Sequence, residues 1–155
     1  MYENVLVPLD GSELAECALN HVKKLMQGGG IKDVTILNVV EVNIPLADEF
    51  QKPLDINAIR EQVRIVSEKY LADTESRLDI EGIRVKTKVL EGNKPAHAIT
   101  DYAKKNGMDM IIMATHGYSG IKRLMLGSVA LGVLHESHIP VLLIRPEACR
   151  IEKIS

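Results

Sequence analysis

The residues best suited to chemistry lie between positions 114 and 128, where the chain reads Ala114-Thr115-His116-Gly117-Tyr118-Ser119-Gly120 and, after six further residues, Gly127-Ser128. An apolar run over 108–114 leads into the glycines, and Gly127-Ser128 opens a stretch with helical spacing. That combination suits a phosphate. Glycines let the main chain approach an anion closely, and the unpaired N–H groups of a helix's first turn point at it along the helix dipole. The Ser128 hydroxyl can donate to a phosphate oxygen or cap its own helix. No GxxxxGK[ST] run is present, so the segment is not a P-loop. Nor does a GxGxxG follow the first apolar run, which argues against a dinucleotide-binding Rossmann site.

Other candidates are weaker. Asp10 ends the run Val5-Leu6-Val7-Pro8-Leu9 and either caps the next helix or meets a ligand. His116 could serve as a general base, but no Ser or Cys nucleophile is apparent beside it, so a structural or ribose-adjacent place suits it better. Lys122 and Arg123 fit a solvated loop face or a phosphate contact. His21, His97, His135 and His138 lack the spacing of metal ligands. Cys17 and Cys149 belong to no CxxC or Cys/His cluster, and both are expected to be reduced.

Alternating strands and helices must position these groups. The run at 5–9 is apolar on both faces, as in a buried parallel strand, and Ser12 caps a helix closed by Gly28-Gly29-Gly30. A second apolar strand covers 34–40, a loop covers 42–55, and one long amphipathic helix covers 56–78 with Ile59, Val63, Val66, Tyr70, Thr74 and Leu78 in step. Residues 83–90 alternate, with Arg84, Lys86 and Lys88 on a wetter face that suits a sheet edge. A helix starting near Pro95, a strand at 108–114, a helix at 128–137 and a strand at 140–144 complete the chain. Such βαβ units give a parallel sheet with helices on both faces, and ligands collect at the carboxyl ends of its strands.

Composition narrows the function classes. At 155 residues the chain fits one domain, expected over 1–146 with a tail at 147–155. It holds one Phe, four Tyr and no Trp, too few aromatic faces for a single-strand stacking platform. A net charge of −2 without a long Lys/Arg run argues against nucleic acid altogether. No apolar stretch approaches the ~20 residues of a membrane span, and no signal peptide is evident, so a cytoplasmic protein is expected.

The whole pattern resembles the universal stress protein family, in its nucleotide-binding branch, whose motif is G-x2-G-x9-G-[ST]. Gly117 and Gly127-Ser128 match its second and third elements, and Ala114 stands at the first. Val5-Leu6-Val7-Pro8-Leu9-Asp10-Gly11-Ser12, Gly92-Asn93-Lys94-Pro95 and Pro140-Val141-Leu142-Leu143-Ile144-Arg145 extend the likeness along nearly the whole chain. The resemblance implies a flavodoxin- or Rossmann-like three-layer α/β sandwich (the adenine nucleotide alpha hydrolase-like type) with a five-stranded parallel sheet of order 3-2-1-4-5. It further implies a homodimer through the last strand, Val141–Ile144, and bound ATP, with AMP or ADP as variants.

By position, Pro8, Leu9 and Asp10 would line the adenosine side, and Val39 would meet the adenine edge with its backbone. Met113, Ala114, His116 and Gly117 would flank ribose and phosphates, while Gly127, Ser128 and Val129 would hold the triphosphate. Asp10 could contact the ribose or a phosphate-bound Mg²⁺. Ala114 carries about 1–2 kcal/mol of strain if its φ is positive and almost none otherwise. Tyr118 stands where the family often has a cation. Efficient hydrolysis needs a positioned water, a base and cations on the γ-phosphate, so no catalytic residue is assigned and slow turnover at best is expected. The implied function is an ATP-dependent stress-response regulator. The alternatives are a partner-binding dimer with a vestigial pocket and an adenylyl-transfer enzyme, the latter lacking a HIGH-type or PP-loop motif.

Overall fold

The computed structural model describes residues 1–42, 55–116 and 126–145. Nine elements alternate along it: β1 (Tyr2–Pro8), α1 (Glu13–Gln27), β2 (Ile31–Val40), α2 (Ile56–Ile80), β3 (Lys86–Glu91), α3 (Pro95–Lys105), β4 (Met110–Ala114), α4 (Ser128–Glu136) and β5 (Val141–Ile144). The five strands pair in parallel in the order β3-β2-β1-β4-β5. This is the doubly wound order that the family resemblance implies.

Burial explains the order. Val5, Leu6 and Val7 are fully buried, so β1 is covered on both faces and must be central. On one face Ala18, Val22 and Leu71 from α1 and α2 pack with Val5 and Val7. On the other, Ile99 and Val133 from α3 and α4 pack with Leu6 and Ile111. Two cores with the sheet between them make three layers. The edge strand β3 exposes Lys86 and Lys88, charges that keep an open edge from pairing with other chains.

Three expectations need correction. The strand read from residue 83 begins at Lys86; Ile83 and Val85 are buried by the segment leading into it. Helix α2 turns a slightly different face inward than its apolar steps suggest: Val66 is 60% exposed, while Ser67 and Leu71 are buried. Cys17 is buried on α1 and engaged in a disulfide rather than reduced. Cys149, the loop over 117–125 and the tail from 146 lie outside the described residues.

Candidate functional site

Strand β1 stops earlier than its neighbour. Its pairing with β2 ends at Pro8↔Leu37, and Leu9 N–H still donates to the Leu37 carbonyl at 2.8 Å. The chain then turns away through Gly11, whose φ of 86° lies in the left-handed region that favours glycine. Asp10 organises this turn: its Oδ1 accepts from Ser12 N–H at 2.9 Å and from the Ser12 hydroxyl at 2.6 Å. Ser12 in turn caps α1, its oxygen accepting from Ala15 N–H at 3.1 Å. A capping role for Asp10 is therefore real, one step removed.

β2 continues past the point where β1 departs. Main-chain groups along a strand alternate in direction. The Leu37 carbonyl faces β1, and the Val40 carbonyl faces β3, where it accepts from Gly92 N–H at 3.0 Å. The N–H and C=O of Val39 therefore face the gap left by β1. They form an adjacent donor and acceptor at the carboxyl end of the sheet.

Across the gap, β4 ends at Ala114 and α4 begins at Ser128. Gly127 is the N-cap of α4, and among the described residues no side chain caps it. Its N–H donates to the Thr115 carbonyl at 2.8 Å, which ties the helix start to the end of β4. The first intrahelical bond runs from Leu131 N–H to the Gly127 carbonyl at 2.9 Å, so the N–H groups of Ser128, Val129 and Ala130 precede the helical ladder. Three donors and a helix dipole open there. Among the described residues only glycines have positive φ, so Ala114 sits without backbone strain.

These parts enclose one cavity of about 650 Å³. Pro8, Leu9 and Asp10 line it from the end of β1 and the turn after it, Val39 from β2, and Met113, Ala114 and His116 from the end of β4 and just past it. Gly127, Ser128 and Val129 close it from α4. All ten described residues that the family resemblance places at the nucleotide thus border the same space; Gly117, Tyr118, Lys122 and Arg123 fall outside the described residues. His116 Nδ1 lies 2.9 Å from the Thr115 hydroxyl, and its buried Nε2 has no hydrogen-bond partner among the described residues.

The cavity also has walls that sequence reasoning missed. Glu41, the residue after β2, brings in a second carboxylate, and its place just past a strand end was a usable signal. Pro95 and Ile99 of α3 supply apolar wall. Behind the cavity, Asn38 Nδ2 donates to the Leu9 carbonyl at 2.7 Å, and Ser67 Oγ donates to Asn38 Oδ1 at 2.6 Å. Nothing in the spacing of these two residues announces the contact. Among the described residues, no group of three His, Cys, Asp or Glu side chains could hold a metal by itself.

Known proteins share this arrangement. Universal stress protein MJ0577 of Methanocaldococcus jannaschii is 31% identical over 159 residues, covering 94% of this chain and 96% of that protein. Its solved structure superposes with a TM-score of 0.78, covering 94% and 96% of the two chains. Universal stress protein YxiE of Bacillus subtilis is 32% identical, over 94% of this chain and all of its own length. Two more distant structures share the fold: a universal stress protein in complex with cAMP (21% identity, TM-score 0.56, 94% and 98% of the chains) and an Arabidopsis thaliana family member with AMP bound (16%, 0.64, 92% and 91%). The family model for universal stress proteins matches residues 1–145, and the chain belongs to that family.

Proposed function

We propose that the protein binds ATP in the cavity between β1, β2 and α4 and acts as a nucleotide-dependent, homodimeric regulator. The observation that carries this reading is the pairing of two unlike ends in one space. At one end the Val39 backbone offers a donor beside an acceptor, which matches N1 and the 6-amino group of adenine and mismatches the inverted pattern of guanine. At the other, the first-turn N–H groups of α4 offer an anion site. Glu41 lies near the β2 end, so its charge favours phosphates pointing towards α4. The family members with AMP and cAMP bound support an adenine nucleotide.

Mg²⁺ fits as a companion of the phosphates rather than a resident of the protein. It commonly binds through one or two carboxylates plus substrate phosphates, and Asp10 is the carboxylate that would steady it. Among the described residues, no Lys or Arg lines the cavity. Efficient hydrolysis would need a cation placed on the γ-phosphate, and the sequence candidates for it, Lys122 and Arg123, lie outside the described residues.

The dimer reading rests on an asymmetry between the two sheet edges. β3 carries lysines, whereas β5 is Val-Leu-Leu-Ile with three residues only partly buried. An uncharged open edge is suited to pairing with a second copy. Calorimetric titration of Mg·ATP into nucleotide-stripped protein tests the nucleotide reading, with Mg·GTP in parallel. Saturable binding of one ATP per chain, with GTP much weaker, is expected. A folded protein that gives no heat with either would leave the pocket vestigial and overturn the proposal.

A further inference from the structure

Asn38 and Ser67 are buried polar residues that no part of the nucleotide reading has yet used. Asn38 sits on β2 beside Val39, and Ser67 sits midway along α2. The direction of their contact is settled by chemistry. A carbonyl can only accept, so the group that Asn38 turns towards the Leu9 carbonyl must be its amide nitrogen. Its amide oxygen then faces Ser67, whose hydroxyl donates to it at 2.6 Å.

The Leu9 carbonyl matters because of where it falls in the sheet. Leu9 N–H bonds to the Leu37 carbonyl, so in an unbroken parallel ladder Val39 N–H would donate to the Leu9 carbonyl. Among the described residues that bond is not made. Asn38 holds the carbonyl instead, at 2.7 Å, from the residue adjacent to Val39. β1 is thereby held away from β2 one residue early, and a buried acceptor is satisfied without consuming the Val39 donor.

We infer that the Ser67–Asn38 pair is a positioning device for base recognition: by holding the Leu9 carbonyl, it keeps the Val39 N–H open to the edge of the adenine ring. This rests on the nucleotide reading above. Neither residue touches the base. Ser67 fixes the orientation of the Asn38 amide, Asn38 fixes Leu9, and the vacancy in the ladder falls at Val39. The same chain of contacts ties α2 to the turn that carries Asp10.

The test compares wild type with Asn38→Leu, Ser67→Ala and Ser67→Thr, titrating Mg·ATP and Mg·ITP into each. Inosine presents N1–H where adenine presents a bare N1, so the ATP-to-ITP ratio reads the Val39 donor rather than the ribose or phosphates. Asn38→Leu keeps the volume and removes the donor; the freed Leu9 carbonyl then takes Val39 N–H. ATP affinity is expected to fall about tenfold with ITP nearly unchanged, the size of one lost hydrogen bond. Ser67→Ala should lower the ratio about threefold, and Ser67→Thr, which keeps the hydroxyl, should restore it.

Amide exchange of Val39 without nucleotide supplies an independent reading. It is expected to be fast in wild type and at least tenfold slower in Asn38→Leu. Folded variants with the wild-type ATP-to-ITP ratio, or with ATP and ITP weakened equally, would overturn the inference. A wild-type protein that binds no nucleotide would refute the nucleotide reading and the base-reading role with it. The placement of Leu9 would then be judged by exchange alone, and equal Val39 exchange in wild type and Asn38→Leu would refute that too.

Discussion

Gly127→Val probes the start of α4, where the phosphates are proposed to sit. Gly127 has φ −61°, so its backbone is open to any residue and the effect of substitution comes from contact alone. A Cβ there would lie 3.1 Å from the Thr115 carbonyl oxygen and 3.6 Å from His116 Cα. The first contact is with the acceptor of the 2.8 Å bond that joins α4 to β4. Valine adds two branches to that crowded atom. Relief requires α4 and the end of β4 to separate, at about 1–3 kcal/mol for overpacking and roughly 1 kcal/mol for the hydrogen bond. For a 155-residue domain this corresponds to a fall in Tm of about 5–15 °C. The same movement withdraws the helix N-terminus from the triphosphate, whose charge-assisted bonds are about twice as strong as neutral ones. ATP affinity should drop at least ~100-fold, with Gly127→Ala intermediate. Calorimetry and thermal melts on the same preparations measure both quantities. Folded Gly127→Val that binds ATP with wild-type affinity would refute the reasoning.

Three further expectations follow from other parts of the molecule. A Cβ at Gly132 would lie 2.6 Å from Ala96 Cβ, so Gly132→Ala should force α3 and α4 apart and lower Tm by about 3–10 °C in a thermal melt. Val141 N–H faces the open edge of β5, because the Pro140 carbonyl on the neighbouring residue faces β4, where it accepts from Ile111 N–H. Val141→Pro should therefore yield a folded monomer in light scattering if the dimer forms through that edge. Burial first, and then the Glu16 carboxylate that accepts its hydroxyl at 3.0 Å, push the Tyr70 phenol above its ordinary value. Neutral Tyr70 thus contributes stability that is intact below about pH 10, where an unfolded tyrosine titrates, and is lost as pH rises towards the raised folded value. Urea melts above pH 10 should show a shallower decline for Tyr70→Phe than for wild type.

The fold was legible because both of its signals are local. Val5-Leu6-Val7 and Ile111-Ile112 are apolar on both faces, which only a covered parallel strand explains, and Ser12, Pro95 and Gly127 mark helix starts where the structure has them. The site was legible for a related reason: in this topology strand ends converge, so Asp10, Val39, Ala114 and Ser128 meet although they are far apart in sequence. Less visible were features set by tertiary contact. Ser67 is polar, so an apolar stripe drawn through Val63 and Val66 passes beside it, yet its bond to Asn38 turns it inward and leaves Val66 in solvent. Glu41 could have been found from its place just past the end of β2, but its charge alone reads as ordinary surface. Where β1 ends, the Leu9 carbonyl is held by the Asn38 side chain of the next strand, a contact that no periodicity reveals.

The most direct test of the nucleotide site is to follow backbone amide shifts of isotope-labelled protein as Mg·ATP is added. If the cavity holds the nucleotide as argued, the largest changes fall on Ser128, Val129 and Ala130 at the start of α4 and on Val39 at the end of β2, all saturating with one affinity. Saturable ATP binding that leaves those four amides unmoved would place the nucleotide elsewhere and reject the site.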